Sequence, residues 1–391
     1  MNFCGIISEF NPFHNGHEYI IAEAKRRTGL KVICLMSGDF VQRGTPAVTD
    51  KYERAKMAVT SGANAVIELP TIYACSNAEN FATGGVKILK ALGVTKLAFG
   101  VEGASLEILQ RIAKIKFENS EHFSQSFKNE IENGINFNTA MKRAIIKELG
   151  EDVSELLNKP NNVLAIEYLT AILKLDAKIE PVLIERCDGG FLSTKETGNF
   201  LSASGIRELI ENGKDFAKFV PKYAKPAKIF TKIEENCLKN MITYKIRSSL
   251  PSELENCYDY TEGIEFRVKK CADEFPSYDE ILNEISTPRY KAQRVQKLLL
   301  YPLLNITKRT VELSYKIKPA VKVLAIEKSD KELLTCFNKS KISLIVTNAD
   351  FEKLSSKQKK VAGIDLNASN IYNLILGRPN NMDKKTGTMF I

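Results

Sequence analysis

Short apolar runs alternate with longer segments of mixed polarity through the first 210 residues. FCGIIS (3–8), KVICLMS (31–37), AVIEL (65–69), KLAFG (96–100) and Ile179–Glu185 are brief, apolar and β-prone, so each predicts a buried strand. Between them His17–Arg27, Lys51–Ser61, Asn77–Leu92, Ser105–Ile115 and Asn162–Leu175 predict helices, and a further helix begins near Ser204. Strand–helix alternation with connections of this length favours parallel, right-handed βαβ units. The pattern predicts an α/β fold, a Rossmann-like doubly wound parallel sheet. Residues from about 116 to 160, rich in Glu, Lys and Asn, read as inserted helices.

From about Asp215 the chain turns Lys-rich and mixed, with PKYAKPAKIF (221–230) as a linker and Tyr290–Leu304 as a basic-to-apolar helix. Two domains follow: 1–214, and a basic, mainly helical region over 215–391. Charge sharpens the division. Residues 1–210 hold 24 Lys+Arg against 25 Asp+Glu, leaving 32 against 22 for the rest of a chain whose net charge is +9. A near-neutral half joined to a basic half is expected where catalysis and polyanion binding are divided. The apolar runs are far shorter than the roughly 20 residues a membrane span needs, and no export signal opens the chain, so a cytoplasmic location is expected and no membrane partner. Eight scattered Cys with no C-x-x-C pair read as reduced, mostly buried small hydrophobes.

The first strand runs into Glu9-Phe10-Asn11-Pro12-Phe13-His14-Asn15-Gly16-His17, which holds two of the three histidines. Three readings compete. A metal site lacks a third ligand nearby, and Pro12 and Gly16 work against a helix presenting both rings on one face, so no metal is assigned. Both imidazoles could instead cap the following helix. The third reading is a phosphate site, because a strand, a turn and a helix start aim backbone N–H groups and the positive helix end at an anion.

The segment resembles the H-x-G-H motif of the nucleotidyltransferase superfamily, which carries it directly after the first strand. Longer words narrow the resemblance: FNPFHNGH, MSGDFVQRG, KYERAKMA, IELP, FGVE, KPNN, SASGIR, EGIEFRVK and TPRYKAQRVQKLLL, in that order, are similar to the tRNA(Met) cytidine acetate ligase family. The resemblance covers most of the chain. It implies an enzyme that adenylates acetate with ATP, accompanied by Mg²⁺, and passes the acetyl group to N4 of the wobble cytidine of elongator tRNA(Met). It also implies His14 and His17 as catalytic residues. The implied ATP site comprises Ile7, Ser8, Glu9, Phe10, Asn11, Pro12, Phe13, His14, Asn15, Gly16, His17, Glu18, Tyr19 and Ile20, together with Gly100, Asn161 and Arg186.

The residue types fit those roles but also have plainer readings. Gly100 ends a strand, where lack of a side chain admits a ligand or merely makes a turn. Asn161 could cap a helix, and Arg186 could be a surface arginine. Ser202, Ser204 and Arg207 in SASGIR are candidate phosphate contacts, with Ser202 equally readable as an N-cap. Here Ala203 and Ser204 stand where the superfamily word has Ser and Thr. Arg43 and Lys51 are candidate substrate or pyrophosphate contacts, and Thr45 stands where relatives usually have Glu. Arg289, Tyr290, Lys291, Arg294 and Lys297 combine cations with an aromatic, as a tRNA contact would. Two other functions compete: a small-molecule adenylyl- or cytidylyltransferase, for which the C-terminal extension is superfluous, and an RNA-associated protein with a regulatory ATP site.

Overall fold

The computed structural model describes residues 2–186, 198–224, 228–330, 332–338 and 341–391; Cys187 and linker positions 225–227 lie outside them. The five expected strands form as β1 (Phe3–Ser8), β2 (Lys31–Ser37), β3 (Ala65–Leu69), β4 (Val94–Val101) and β5 (Glu180–Glu185). They pair in parallel in the order β5-β4-β1-β2-β3. Strand alternation sorts their side chains. Cys4, Ile6, Val32, Cys34, Met36 and Ala98 pack in one core with Ile21 and Ala24 of α1 (Asn15–Thr28) and Ala55 and Ala58 of α2 (Lys51–Thr60). Phe3, Ile7, Leu35, Leu97 and Phe99 belong to the opposite core, beneath α4 (Ala78–Leu92) and α8 (Pro160–Lys174); a short α3 (Thr71–Ala74) precedes α4.

The inserted segment forms the end of α5 (Leu106–Glu118), then α6 (Glu121–Glu132) and α7 (Phe137–Leu149). After β5 come α9 (Ala203–Glu211) and α10 (Lys232–Ser248), then α11 (Pro251–Glu255), α12 (Ile264–Glu274), α13 (Tyr278–Ile285), α14 (Ala292–Leu304) and α15 (Lys308–Lys316). The C-terminal region is thus mainly helical, as expected, but it also returns to the sheet. β6 (Ala320–Ile326) pairs antiparallel with β3, followed outward by β7 (Ser343–Ile345), while β8 (Met389–Phe390) pairs β6. Between these strands lie α16 (Glu332–Asn338), α17 (Asn348–Glu352), α18 (Ser356–Ile375) and α19 (Met382–Lys385). A boundary at residue 214 consequently runs through one continuous sheet, and the sheet is mixed rather than wholly parallel.

Candidate nucleotide site

β1 delivers the chain to the carboxyl edge of the sheet, and His14 there becomes the N-cap of α1. Its Nδ1 accepts the Gly16 N–H at 3.0 Å, and His17 Nδ1 accepts the His14 N–H at 3.2 Å, a reciprocal capping box. The two rings stack with centroids 3.7 Å apart. A nitrogen that accepts from a backbone N–H carries no proton, so each neutral ring bears its hydrogen on Nε2. Burial holds the His17 pKa well below the usual histidine value, with the charges of His14 and Arg186 adding to the effect. His17 is therefore neutral at pH 7. The capping and phosphate readings are compatible: Nδ1 caps the helix and Nε2 remains a donor.

Both imidazoles line a cavity of about 810 Å³ that opens along the ends of β1, β4 and β5. From the block 7–20, Ile7, Ser8, Glu9, Phe10 and Asn11 also line it, as do Gly16, Tyr19 and Ile20. Pro12, Phe13, Asn15 and Glu18 do not. Phe13 is buried against Phe10 and His17, with centroids 4.9 and 5.6 Å away. Asn15 Nδ2 donates to the Asn199 and Lys218 carbonyls at 2.8 and 3.0 Å, and Glu18 accepts the Tyr223 hydroxyl. These residues hold the loop in place rather than form the cavity wall.

A corner with two arginines, Arg43 and Arg207, lies at the start of α9. Ser202 is the N-cap of α9, its Oγ accepting the Gly205 N–H at 3.1 Å, so the capping reading of Ser202 is the one seen. Arg207 Nη2 and Arg43 Nη2 both donate to Ser204 Oγ, at 3.0 and 3.3 Å, and Arg207 Nη1 donates to the Asn11 carbonyl at 2.6 Å. Burial and then the nearby Arg43 charge depress the Arg207 pKa, a repulsion that a bound anion relieves. At the β4–β5 end a Cβ on Gly100 would lie 3.2 Å from Arg186 Cγ, so the glycine admits the arginine's own side chain. Arg186 Nη1 donates to Asn161 Oδ1 at 3.3 Å, and Asn161 Nδ2 donates to Glu102. Asn161 does not cap α8; Lys159 occupies that position without a side-chain bond.

Lys51 is a correction. Its ammonium is buried at 2.8 Å from Glu68, 3.1 Å from Asp383 and 3.5 Å from Asp39, off the cavity wall. Burial alone would lower its pKa, yet the carboxylates of Asp383, Glu68 and Asp39 together hold it well above the usual lysine value. Burial pushes Glu68 up to about 8 despite Lys51. Arg54 next along α2 is fully buried and donates to the carbonyls of Thr49, Glu9, Ser37 and Gly38, which ties the ends of β1 and β2 together. A charged residue among the apolar positions of α2 was the available signal for it.

The basic cluster before and within α14 divides in the same way. Tyr290 is buried, with the Arg294 guanidinium 4.7 Å above its ring, so it offers no face for a base to stack on. Arg294 pairs with Asp259 through two bonds of 2.8 Å, and Arg289 with Glu262 at 2.7 Å. Lys291 and Lys297, however, line the cavity, and Lys297 Nζ reaches the Ser76 carbonyl at 3.1 Å. The same cavity is also lined by Phe137, Met141 and Lys142 of α7 and by Tyr168 of α8. These four escaped the sequence reading because only tertiary packing brings α7, and Tyr168 of α8, to the cavity.

A strand–turn–helix with two imidazole donors, an arginine corner and a neighbouring helix start defines a nucleotidyl-transfer site on a doubly wound sheet. The model of the HIGH nucleotidyl transferase family matches residues 1–387, and the chain belongs to that family. Among curated relatives it is 34% identical over 387 residues to the tRNA(Met) cytidine acetate ligase of Thermoanaerobacter sp. (strain X514), covering 96% of this chain and 95% of the relative. It is 33% identical over 418 residues to the ligase of the same name from Thermosipho africanus (strain TCF52B), covering 100% and 98%. Two crystal structures of Thermotoga maritima TmcAL, one apo and one bound with alpha-thio ATP, superpose with TM-scores of 0.88 and 0.89 at 26% identity, each covering the whole of both chains.

Proposed function

We propose that this chain is an ATP-dependent tRNA(Met) cytidine acetate ligase. It activates acetate as acetyl-adenylate and acetylates N4 of the wobble cytidine of elongator tRNA(Met), releasing AMP and pyrophosphate. The observation that carries the reading is the pair of Nε2 donors fixed at the α1 N-terminus beside a cavity wide enough for more than one substrate. Acetate is a poor acyl donor because its carboxylate is negative and its oxygen leaves badly; adenylation removes both obstacles. An acetate oxygen attacks the α-phosphorus in line, and His14 and His17 donate to the oxygens on which charge develops. Arg43, Arg207 and the start of α9 hold the departing pyrophosphate. Arg186 and Asn161 hold the nucleoside end at Gly100.

Among the described residues no group of three or more His, Cys, Asp or Glu is arranged to hold a metal ion. In this reading Mg²⁺ accompanies the triphosphate of ATP. The excess of Lys and Arg beyond residue 210 supplies the phosphate grip for tRNA, with Lys291 and Arg289 facing solvent beside the cavity. Among the described residues no helix is long and apolar enough to cross a membrane. The test is incubation with ATP, labelled acetate and bulk tRNA, omitting each in turn. Label in tRNA cytidine that requires all three supports the ligase; nucleotide incorporation into a small molecule, or binding without turnover, overturns it.

A further inference from the structure

The cavity passes around the carboxyl end of the sheet from one face to the other. Because residues alternate along β1, Ile6 lies in the core under α1 whereas Ile7 lies in the core under α4 and α8. On that second side lies a lobe lined by Phe81, Phe99 and Tyr168, whose hydroxyl feels the charge of Glu9; Phe137 and Lys297 also line the cavity. Tyr168 is buried with its ring 5.7 Å from Phe99, and its hydroxyl has no hydrogen-bond partner among the described residues. Buried polar atoms are rarely left unpaired unless a ligand or water completes them. Glu9 is similarly half-used: Oε1 accepts the Gln42 N–H at 2.8 Å, and no bond to Oε2 forms among the described residues.

Aromatic walls, a hydroxyl without a partner and a carboxylate suit a neutral, flat ligand that carries an amine. They suit acetate poorly, since a second carboxylate would sit beside Glu9 and two carbons would leave most of the lobe empty. We infer that the lobe is a nucleobase site that receives the unstacked wobble cytosine, with Tyr168 bonding its polar edge and Glu9 accepting the proton of its exocyclic amine. In the transfer step the N4 lone pair forms the N–C bond to the acetyl carbonyl. The C–O bond to the adenylate phosphate breaks, AMP leaves with that electron pair, and the N4 proton passes to Glu9.

The inference rests on the ligase reading above, and the experiment separates the two. Transfer is measured from supplied acetyl-adenylate to a short anticodon stem-loop RNA with cytidine at the wobble position. Adenylation is measured separately as acetate-dependent pyrophosphate–ATP exchange. Tyr168→Phe should lower transfer about tenfold while exchange and the KM for acetate stay within about twofold. Glu9→Gln, which keeps an acceptor for Gln42, should lower transfer about 100-fold or more. Equal loss of both reactions in Tyr168→Phe, a raised acetate KM, or undiminished transfer would overturn the base site. Wild-type protein active in neither reaction would overturn the ligase reading itself.

Discussion

Because His14 caps α1 through Nδ1, its cap and its phosphate contact can be separated by substitution. Asn is a good N-cap but has no group in the place of Nε2. His14→Asn should therefore be about 1 kcal/mol more stable than His14→Ala in denaturant unfolding, while both lose acetate-dependent exchange by about 100-fold or more. Exchange restored along with stability would show that His14 matters only as a cap. His17 makes a pH prediction. Its folded pKa is depressed, so below about 6.5 the unfolded chain takes up a proton that the native ring refuses. Stability should be fully present above that pH and fall as pH drops, by up to about 1.4 kcal/mol per unit, and His17→Gln should flatten the slope. The motif was legible because its residue types announce its chemistry. The block 7–20 was only partly so: consecutive residues on a helical turn point in different directions, and Asn15 and Glu18 turn away from the cavity.

Residues 39–47 form a tight hairpin, with the Ala47 N–H donating to the Asp39 carbonyl and the Val41 N–H to the Thr45 carbonyl, both at 2.9 Å. Gly44 at its tip has φ of +77°, and a Cβ there would come within 2.9 Å of Lys297 Cγ on α14. Gly44→Ala should cost about 1–2 kcal/mol from the backbone conformation alone, read by thermal or denaturant unfolding. It should also raise the KM for tRNA, because it pushes the hairpin off α14 where Arg43 and Lys297 face one cavity. At this scale the strands and the long helices of the first half were legible from periodicity. AVKVLAI (320–326) had the composition of a buried strand too, but nothing local says that it joins β3 or runs antiparallel to it. The cavity role of α7 was hidden for the same reason: its surface pattern is that of any amphipathic helix, and only its neighbours give it a function.

The chain is held together across its length by a buried charge cluster. Lys51, Asp39 and Glu68 come from the first half; Asp383 and Lys322, 3.1 Å apart, and Ser369, which bonds Asp39, come from the second. Lys51→Met should destabilise by about 3–5 kcal/mol, since it leaves the acidic side chains of Asp39, Glu68 and Asp383 buried around the vacated position, as denaturant unfolding would register. Glu68 gives the cluster a pH signature opposite to that of His17. With its folded pKa raised to about 8, its contribution is fully present below about 4.5 and is lost as pH rises through 8. A Glu68→Gln variant should lose stability less steeply over that range. The division of charge between the halves was legible from sequence, but their shared core was not, because an ion cluster assembled over 300 positions leaves no local pattern. The antiparallel seam between β3 and β6 also bears on how the protein is made. The outer edge of β3 waits for a partner that lies about 250 residues further along the chain. At ribosomal speed that is roughly 10–50 s during which an apolar strand edge is open to pairing with a neighbouring polypeptide.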